Sequence, residues 1–201
     1  MKRIVAFTGA GISKASGIPT FEEMPGIRDY LTRDYFQREP AKFYENLWQL
    51  YNRIRQAAPN PAHVALAKLA IPVITMNVDG LHRRAGTDNI IEIHGNLEWV
   101  TCPKCQRKEP FEIIGKRICC PKCNRIYESN VVLYGDELHE LPRAIQLVDE
   151  AELLLVIGTS FFTSTAGYIV DYARSIGCRV EIINQSSETK VPEFLKENVG
   201  S

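Results

Sequence analysis

Neither sign of charge dominates this sequence: 24 Lys and Arg stand against 24 Asp and Glu. The chain-wide basic field that attracts nucleic acid or an anionic membrane is therefore absent, and nucleic-acid binding is not expected. Long apolar runs are missing as well. The first, Ile4 to Phe7 behind Met-Lys-Arg, is shorter than a signal-peptide core, and the stretch around Leu153 to Ile157 is only strand-sized. No membrane span is expected, and the chain reads as cytoplasmic. No repeat, low-complexity tract or linker interrupts it. Its 201 residues suffice for one substantial core with a small appendage, not for two ordinary domains. Cysteine is scarce except between positions 102 and 123, where five of the six lie. In a chain without a secretory signature, that crowding favours a metal over disulfides. Cys178, standing alone, reads as a small buried hydrophobe.

Short β-branched runs recur at Ile4–Thr8, Val73–Met76, Ile90–Ile93, Leu153–Ile157 and Val180–Ile183. Most are apolar on both faces, as parallel strands covered by helices must be. Between them, helical spacing marks 41–57, where Phe43, Leu47, Leu50 and Ile54 recur at threes and fours, and also 61–69, 142–151 and 165–176. Pro61 and Pro142 suit first-turn positions. The alternation predicts an α/β fold: a doubly wound, Rossmann-like parallel sheet that binds ligands beyond the carboxyl ends of its strands. Two segments depart from it. Residues 97–130, rich in Cys, Lys and Pro, read as an inserted module. Residues 20–40 read as a long surface loop, of the kind that serves as a lid. The predicted organisation is one catalytic domain over 1–201, with 1–19, 61–96 and 131–201 as the α/β core, 20–60 as a cofactor loop with a helical segment, and 97–130 as the metal module.

Gly9-Ala10-Gly11-Ile12-Ser13 follows the first strand directly, where a glycine turn lets main-chain N–H groups approach a pyrophosphate. The third glycine of the dinucleotide fingerprint is absent, since position 14 is Lys14, so a tight turn without chemical meaning and a phosphate site both remain open. Cys102-Pro103-Lys104-Cys105 and Cys120-Pro121-Lys122-Cys123 repeat one knuckle. Four thiolates so spaced close a tetrahedron around one Zn²⁺ and leave no open position, which makes the metal structural. Thr75 to His82 follows one strand, and Glu92-Ile93-His94-Gly95 follows the next. Both point into the crevice at the sheet's carboxyl edge. There His94, beside Asn77 and Asp79, is the candidate general base, because imidazole takes a proton near neutral pH. His63 and His82 read as structural, and His139 as solvated.

GAGIS, then SGIP with Phe21, TMNVDGLH, EIHG, the paired CPKC knuckles, VVLYGDE, GTS at 158–160 and IIN at 182–184 occur in this order. Together they resemble the sirtuins, from residue 4 to about 185. The resemblance implies an NAD-dependent protein lysine deacylase. Such enzymes break the nicotinamide–ribose bond of NAD⁺ while an acyl-lysine oxygen attacks the ribose, and a histidine then activates a ribose hydroxyl. Carried over, His94 is that base. Asn77 and Asp79, with the Val78 main chain, hold the nicotinamide ribose and carboxamide. The Gly9 turn, through Ala10, Gly11 and Ser13, cradles the phosphates and adjoining ribose with Gly158, Thr159 and Ser160. Asn184 binds the adenosine ribose, and Phe21 caps the nicotinamide pocket. The partner is an acylated-lysine protein, entering as an added strand between Tyr134-Gly135-Asp136 and the stretch near Phe162 and Thr163.

The sequence departs from the family in several places. Glu22 stands where the Gly-Ile-Pro-Asp-Phe-Arg pattern has its arginine, and Arg28 or Arg33 is left to replace it. Met76 stands for a glutamine, Thr165 for a proline, the cofactor loop is short, and the sequence ends at Ser201, before an adenine-side segment that many members carry. Members that prefer succinyl or malonyl lysine carry Tyr-x-x-Arg seven and ten residues past a proline. Counted from Pro40, those places hold Leu47 and Leu50, which implies neutral acyl groups, acetyl first. Two rival readings remain: an ADP-ribosyltransferase or NAD glycohydrolase on the same scaffold, and a non-catalytic NAD-binding or zinc-ribbon protein.

Overall fold

The computed structural model describes residues 3–20, 23–24, 26–160 and 164–199. Its strands are β1 (Ile4–Thr8), β2 (Val73–Thr75), β3 (Ile90–Glu92), β4 (Gly95–Thr101), β5 (Lys108–Pro110), β6 (Glu128–Val131), β7 (Leu153–Ile157) and β8 (Arg179–Ile183). Its α-helices are α1 (Ile27–Tyr30), α2 (Arg33–Arg38), α3 (Pro40–Gln56), α4 (Pro61–Lys68), α5 (Leu81–Arg84), α6 (Leu141–Asp149), α7 (Ser164–Ser175) and α8 (Ser187–Val199).

Five strands form a parallel sheet in the order β3-β2-β1-β7-β8. Alternation along β1 decides what covers each face. Ile4 and Ala6 pack with Ala62 and Leu66 of α4 and Val191 and Leu195 of α8. Val5 and Phe7 pack on the other face with Ala144 and Val148 of α6 and Ile169 and Val170 of α7. The expected doubly wound sheet is therefore present, with the order reversing between β1 and β7. Thr8 pairs with both Thr75 and Ile157, and Thr75 with Glu92, so the strand ends are level and the turns that follow share one edge.

The smaller antiparallel sheet, β5-β4-β6, belongs to the cysteine module. Phe43, Tyr44, Leu47, Leu50 and Ile54 of α3 pack with Phe111, Tyr127, Val131, Cys102 and Cys120 in one cluster, and the Tyr44 hydroxyl donates to the Tyr127 carbonyl. Two local expectations need correction. Residues 27–38 are not a plain loop: Leu31 and Phe36 are buried and anchor the short helices α1 and α2, the second capped by Thr32, whose hydroxyl accepts the Tyr35 N–H at 3.1 Å. The segment after β8 forms α8, an element absent from the sequence-based expectation, because Pro192 interrupts its four-residue apolar spacing of Val191, Leu195 and Val199.

Candidate active site

The turns after β1 and β7 interlock at the point where strand order reverses. Gly11 N–H donates to the Gly158 carbonyl at 2.7 Å, and Gly9 N–H to the Ile157 carbonyl at 2.9 Å. A Cβ on Gly9 would lie 2.9 Å from the Gly158 oxygen and one on Gly11 2.7 Å from its Cα, while Gly158 itself has φ +63°. The glycines are thus required by the approach of two loops, and the result is a wall of main chain. Asn184, after β8, braces that wall. Its side chain accepts the Thr159 N–H at 3.0 Å and donates to the Thr159 carbonyl at 2.8 Å.

After β2 the chain turns through Met76 to Asp79. The Asn77 amide donates to the Gly9 carbonyl and to Ser13 Oγ, both at 3.2 Å, so only its carbonyl oxygen is left to face a ligand. The Ser13 hydroxyl, fully buried, donates to Asp79 Oδ2 at 2.7 Å, and Asp79 Oδ1 accepts the Leu81 N–H at 2.9 Å. Burial raises the Asp79 pKa, against the pull of those two donors. His94 follows β3. Its Nδ1 lies 3.1 Å from the Met76 carbonyl, which can only accept, so Nδ1 carries the proton and Nε2 the lone pair. Burial lowers its pKa, which keeps the ring neutral and basic near pH 7.

Two cavities meet at this imidazole. The first, about 300 Å³, is the more polar of the two: Gly9, Ala10, Gly11, Asn77, Gly158, Thr159, Ser160 and Asn184 line it, with Lys14, Thr20, Glu23 and Arg28. The second, about 410 Å³, has apolar walls from Leu31, Leu47, Leu50, Val78, Val131, Leu133 and Leu138, with Gly135 and Asp136 beside them. Arg28, Met76, His94 and Tyr134 line both. A small recess of about 30 Å³ lies among Ala10, Ser13, Ile18, Asn77, Val78 and Asp79. Ser13 and Asp79 thus sit at the recess rather than on the larger polar wall. The two lid arginines part company. Arg33 is held by Asp136 in a two-pronged pair at 2.8 Å and by Glu128 at 2.7 Å, whereas Arg28 faces the cavities. Tyr134 already pairs with the lid, its N–H donating to the Leu31 carbonyl at 2.8 Å and its carbonyl accepting the Arg33 N–H at 3.0 Å. Phe21, Phe162 and Thr163 lie outside the described residues.

Sequence reasoning missed Lys14, Thr20 and Glu23 on the polar wall and Leu31, Val131, Leu133 and Leu138 on the apolar one. Lys14 and Glu23 form an ion pair at 2.7 Å that no motif announces. The leucines and valines carry no signal beyond hydrophobicity.

The two knuckles are built alike. Gln106 and Asn124, each next after a second cysteine, have φ of 57° and 52°. Each donates its N–H to the carbonyl of the first cysteine of its knuckle at 2.9 Å, while Cys102 and Cys120 N–H groups reach Arg107 and Arg125 carbonyls at 2.8 Å. The Sγ atoms of Cys102, Cys105, Cys120 and Cys123 all lie within 4.8 Å of one another. A tetrahedral Zn–S site spaces its sulfurs about 3.8 Å apart, so this all-thiol set fits one Zn²⁺ and saturates it. Cys119 instead bridges to Ile126. The polar cavity likewise fits a dinucleotide: main-chain and hydroxyl groups at a strand-order switch, with basic side chains on the wall.

An enzyme so arranged brings a nucleotide and a second substrate with an apolar reach to one base, and stabilises its smaller lobe with zinc. Comparison with known proteins narrows that class. The Sir2 family model matches residues 9–164. An NAD-dependent protein deacylase of Pyrococcus abyssi is 38% identical over 217 aligned positions, spanning 96% of this chain and 87% of that one. An NAD-dependent protein deacetylase of Caldivirga maquilingensis is 38% identical over 200 positions, spanning 91% and 78%. A Sir2 structure with a p53 peptide and NAD⁺ superposes with TM-score 0.88 at 32% identity, covering 98% of this chain and 94% of that one. Sir2Tm bound to a propionylated peptide gives 0.87 at 32% identity, covering 98% and 93%. The chain belongs to the Sir2 family.

Proposed function

We propose that this chain is an NAD-dependent protein-lysine deacylase in which His94 is the base shared by a nucleotide cavity and an acyl cavity. The observation that carries the reading is the position of His94 on both walls, with Nδ1 tied to the Met76 carbonyl and Nε2 basic. NAD⁺ supplies the glycosidic bond whose cleavage releases nicotinamide and opens the ribose to the acyl oxygen. Gly9, Ala10, Gly11, Gly158, Thr159 and Ser160 present main-chain and hydroxyl groups to its phosphates and adjoining ribose, and Arg28 adds the charge. Asn184 keeps Thr159 in place beside the adenosine ribose. Asn77 and Asp79, with Val78 and Ser13, form the recess for nicotinamide. His94 Nε2 would take the proton of a ribose hydroxyl, whose oxygen would then bond to the acyl carbon as the lysine amine leaves, and water would complete O-acyl-ADP-ribose. The acyl chain lies against Leu47 and Leu50, and the peptide main chain follows Tyr134, Gly135 and Asp136.

The partners of this reading are acylated-lysine proteins; the balanced charge gives nucleic acid no purchase. All six cysteines are free of disulfide bonds, which suits a reducing cytoplasm, and no helix among the described residues is long and apolar enough to cross a membrane. Incubation with NAD⁺ and acyl-lysine peptides, followed by mass analysis of every product, tests the activity. O-acyl-ADP-ribose and free nicotinamide are expected. ADP-ribose alone, or ADP-ribosylated protein, would instead make the chain a glycohydrolase or transferase.

A further inference from the structure

Beneath the crevice runs a buried polar chain that the reaction chemistry does not touch. Thr8 Oγ1 donates to Thr75 Oγ1 at 2.8 Å, both side chains being out of solvent. A hydroxyl has one hydrogen, so toward His82 Nε2, 3.0 Å away, Thr8 accepts, and His82 carries its proton on Nε2. His82 Nδ1 is then a lone-pair acceptor, buried with no partner among the described residues. At the start of α4 the Asn60 N–H donates to His63 Nδ1 at 3.4 Å, so a neutral His63 has its proton on Nε2. That donor is also buried and unpartnered among the described residues. The two rings touch, with centroids 4.8 Å apart and planes tilted by 56°. An orphan donor and an orphan acceptor on touching rings are complementary, and leaving both unpaired costs more than joining them. Burial keeps both rings neutral. It pushes His63 down to about 4, with Arg84 adding to the effect, and His82 well below the ordinary imidazole value, with His63 adding.

We propose that His63 and His82 form a neutral imidazole pair, with His63 Nε2–H donating to His82 Nδ1, and that this pair positions the 75–79 loop for catalysis through Thr8 and Thr75. The loop is gripped at three points. Thr75 Oγ1 accepts the Asn77 main-chain N–H at 3.1 Å, the Thr8 carbonyl accepts the Met76 N–H at 3.0 Å, and the Met76 carbonyl holds His94 Nδ1 at 3.1 Å. With that bond made, the hydrogen-bonded chain runs from Asn60 through His63, His82 and Thr8 to Thr75, where it meets Asn77. A slip there moves both the Asn77 amide and the carbonyl that fixes the His94 tautomer. Misplacement by ~1 Å is worth up to about a hundredfold in rate. His63 and His82 are positioning residues in this scheme. Their catalytic effect rests on the roles given above to His94 and Asn77, but the pair itself does not.

The test joins ¹⁵N imidazole spectroscopy of the full chain to kinetics of two variants. The spectrum should show both rings neutral and protonated at Nε2 near neutral pH, with coupling between His63 Nε2 and His82 Nδ1. His82→Leu removes the donor to Thr8, and His82→Gln returns an amide donor near the Nε2 position. In the folded fraction, His82→Leu should lose roughly tenfold or more in kcat and shift the His94 nitrogens, while His82→Gln should recover to within about threefold. An Nδ1-protonated tautomer at either histidine overturns the proposal. So does a His82→Gln variant that folds yet is as slow as His82→Leu. If His82→Leu does not fold, the wild-type spectrum decides by itself. A wild-type protein without deacylase turnover would sink the proposed activity, and the spectrum would then decide whether the histidines pair.

Discussion

The two cavities that meet at His94 are made of different material. The polar one is walled by main chain from the turns after β1 and β7, which only glycines at 9, 11 and 158 permit. The apolar one is walled by branched side chains from α3, from the chain after β6, and from the lid at Leu31. The first stands on the five-stranded sheet. The second leans on the cluster that also contains Cys102 and Cys120. A wall of main chain recognises what every NAD⁺ molecule shares, and a wall of side chains is free to change with the acyl group.

Zinc removal is the strongest way to separate them. Structural zinc in small modules carries an apparent binding free energy of ~10–16 kcal/mol, so its loss should unfold the antiparallel lobe. Elemental analysis should find one zinc per chain. Cys105→Ser should lower Tm and soluble yield, and calorimetric titration should show acyl-peptide binding lost well before NAD⁺ binding. Equal loss of both ligands would make the cavities one folding unit, and a stable, metal-free, fully active variant would remove zinc from the fold altogether.

Replacing His94, the proposed base, which lines both cavities, comes next. His94→Ala should cut turnover by ~10²–10⁴ while NAD⁺ affinity stays within about threefold, because a general base acts in the transition state. The pH profile carries a sign. Burial lowers the His94 pKa, so the ring is neutral, and active, above the imidazole reference of 6.5. Activity is lost only as pH falls through the lowered value, and an acid limb centred above 6.5 would contradict the buried, Met76-tied ring.

The same contrast governs what is legible in the sequence. Strands Ile4–Thr8 and Leu153–Ile157 can be read to the residue, since a run apolar on both faces is a local signal. The zinc knuckles are equally local, set by cysteine spacing. Leu31, Val131, Leu133 and Leu138 are not legible, because a leucine beside a cavity and a leucine in a core are spelled alike. Nor can Arg28 and Arg33 be told apart, for the choice depends on Asp136 and Glu128, about a hundred positions further along the chain.

That pair of arginines sharpens the comparison at a smaller scale. Arg28→Ala should raise the Michaelis constant for NAD⁺ by about tenfold or more, as a charge-assisted phosphate contact of ~1.5–3 kcal/mol requires. Arg33→Ala should leave NAD⁺ alone and raise the constant for the peptide instead, since it frees the Asp136 segment. Steady-state kinetics on both variants checks the split, and two silent variants would mean the lid works without arginine.

The smallest expected effect concerns the acyl group itself. Leu47 and Leu50 are three apart on α3, share one face, and both pack in the core and line the apolar cavity. Neither offers a cation to meet a carboxylate. A succinyl group pushed against Leu31, Leu47, Leu50 and Val78 would lose its hydration without a partner, at a cost of several kcal/mol if fully buried. An acetyl group, or a longer unbranched neutral chain, loses nothing comparable. Arg28 complicates the contrast because it lines this cavity as well as the polar one. If NAD⁺ holds Arg28 at its phosphates, acetyl-lysine should exceed succinyl-lysine by about tenfold or more in kcat/KM on matched peptides, and Arg28→Ala should not widen the gap. If Arg28 instead turns to the acyl side, the gap should be small in the wild type and open only in the variant. A succinyl preference in both proteins would mean that the carboxylate finds a cation elsewhere, and that the apolar wall is not where the acyl chain ends.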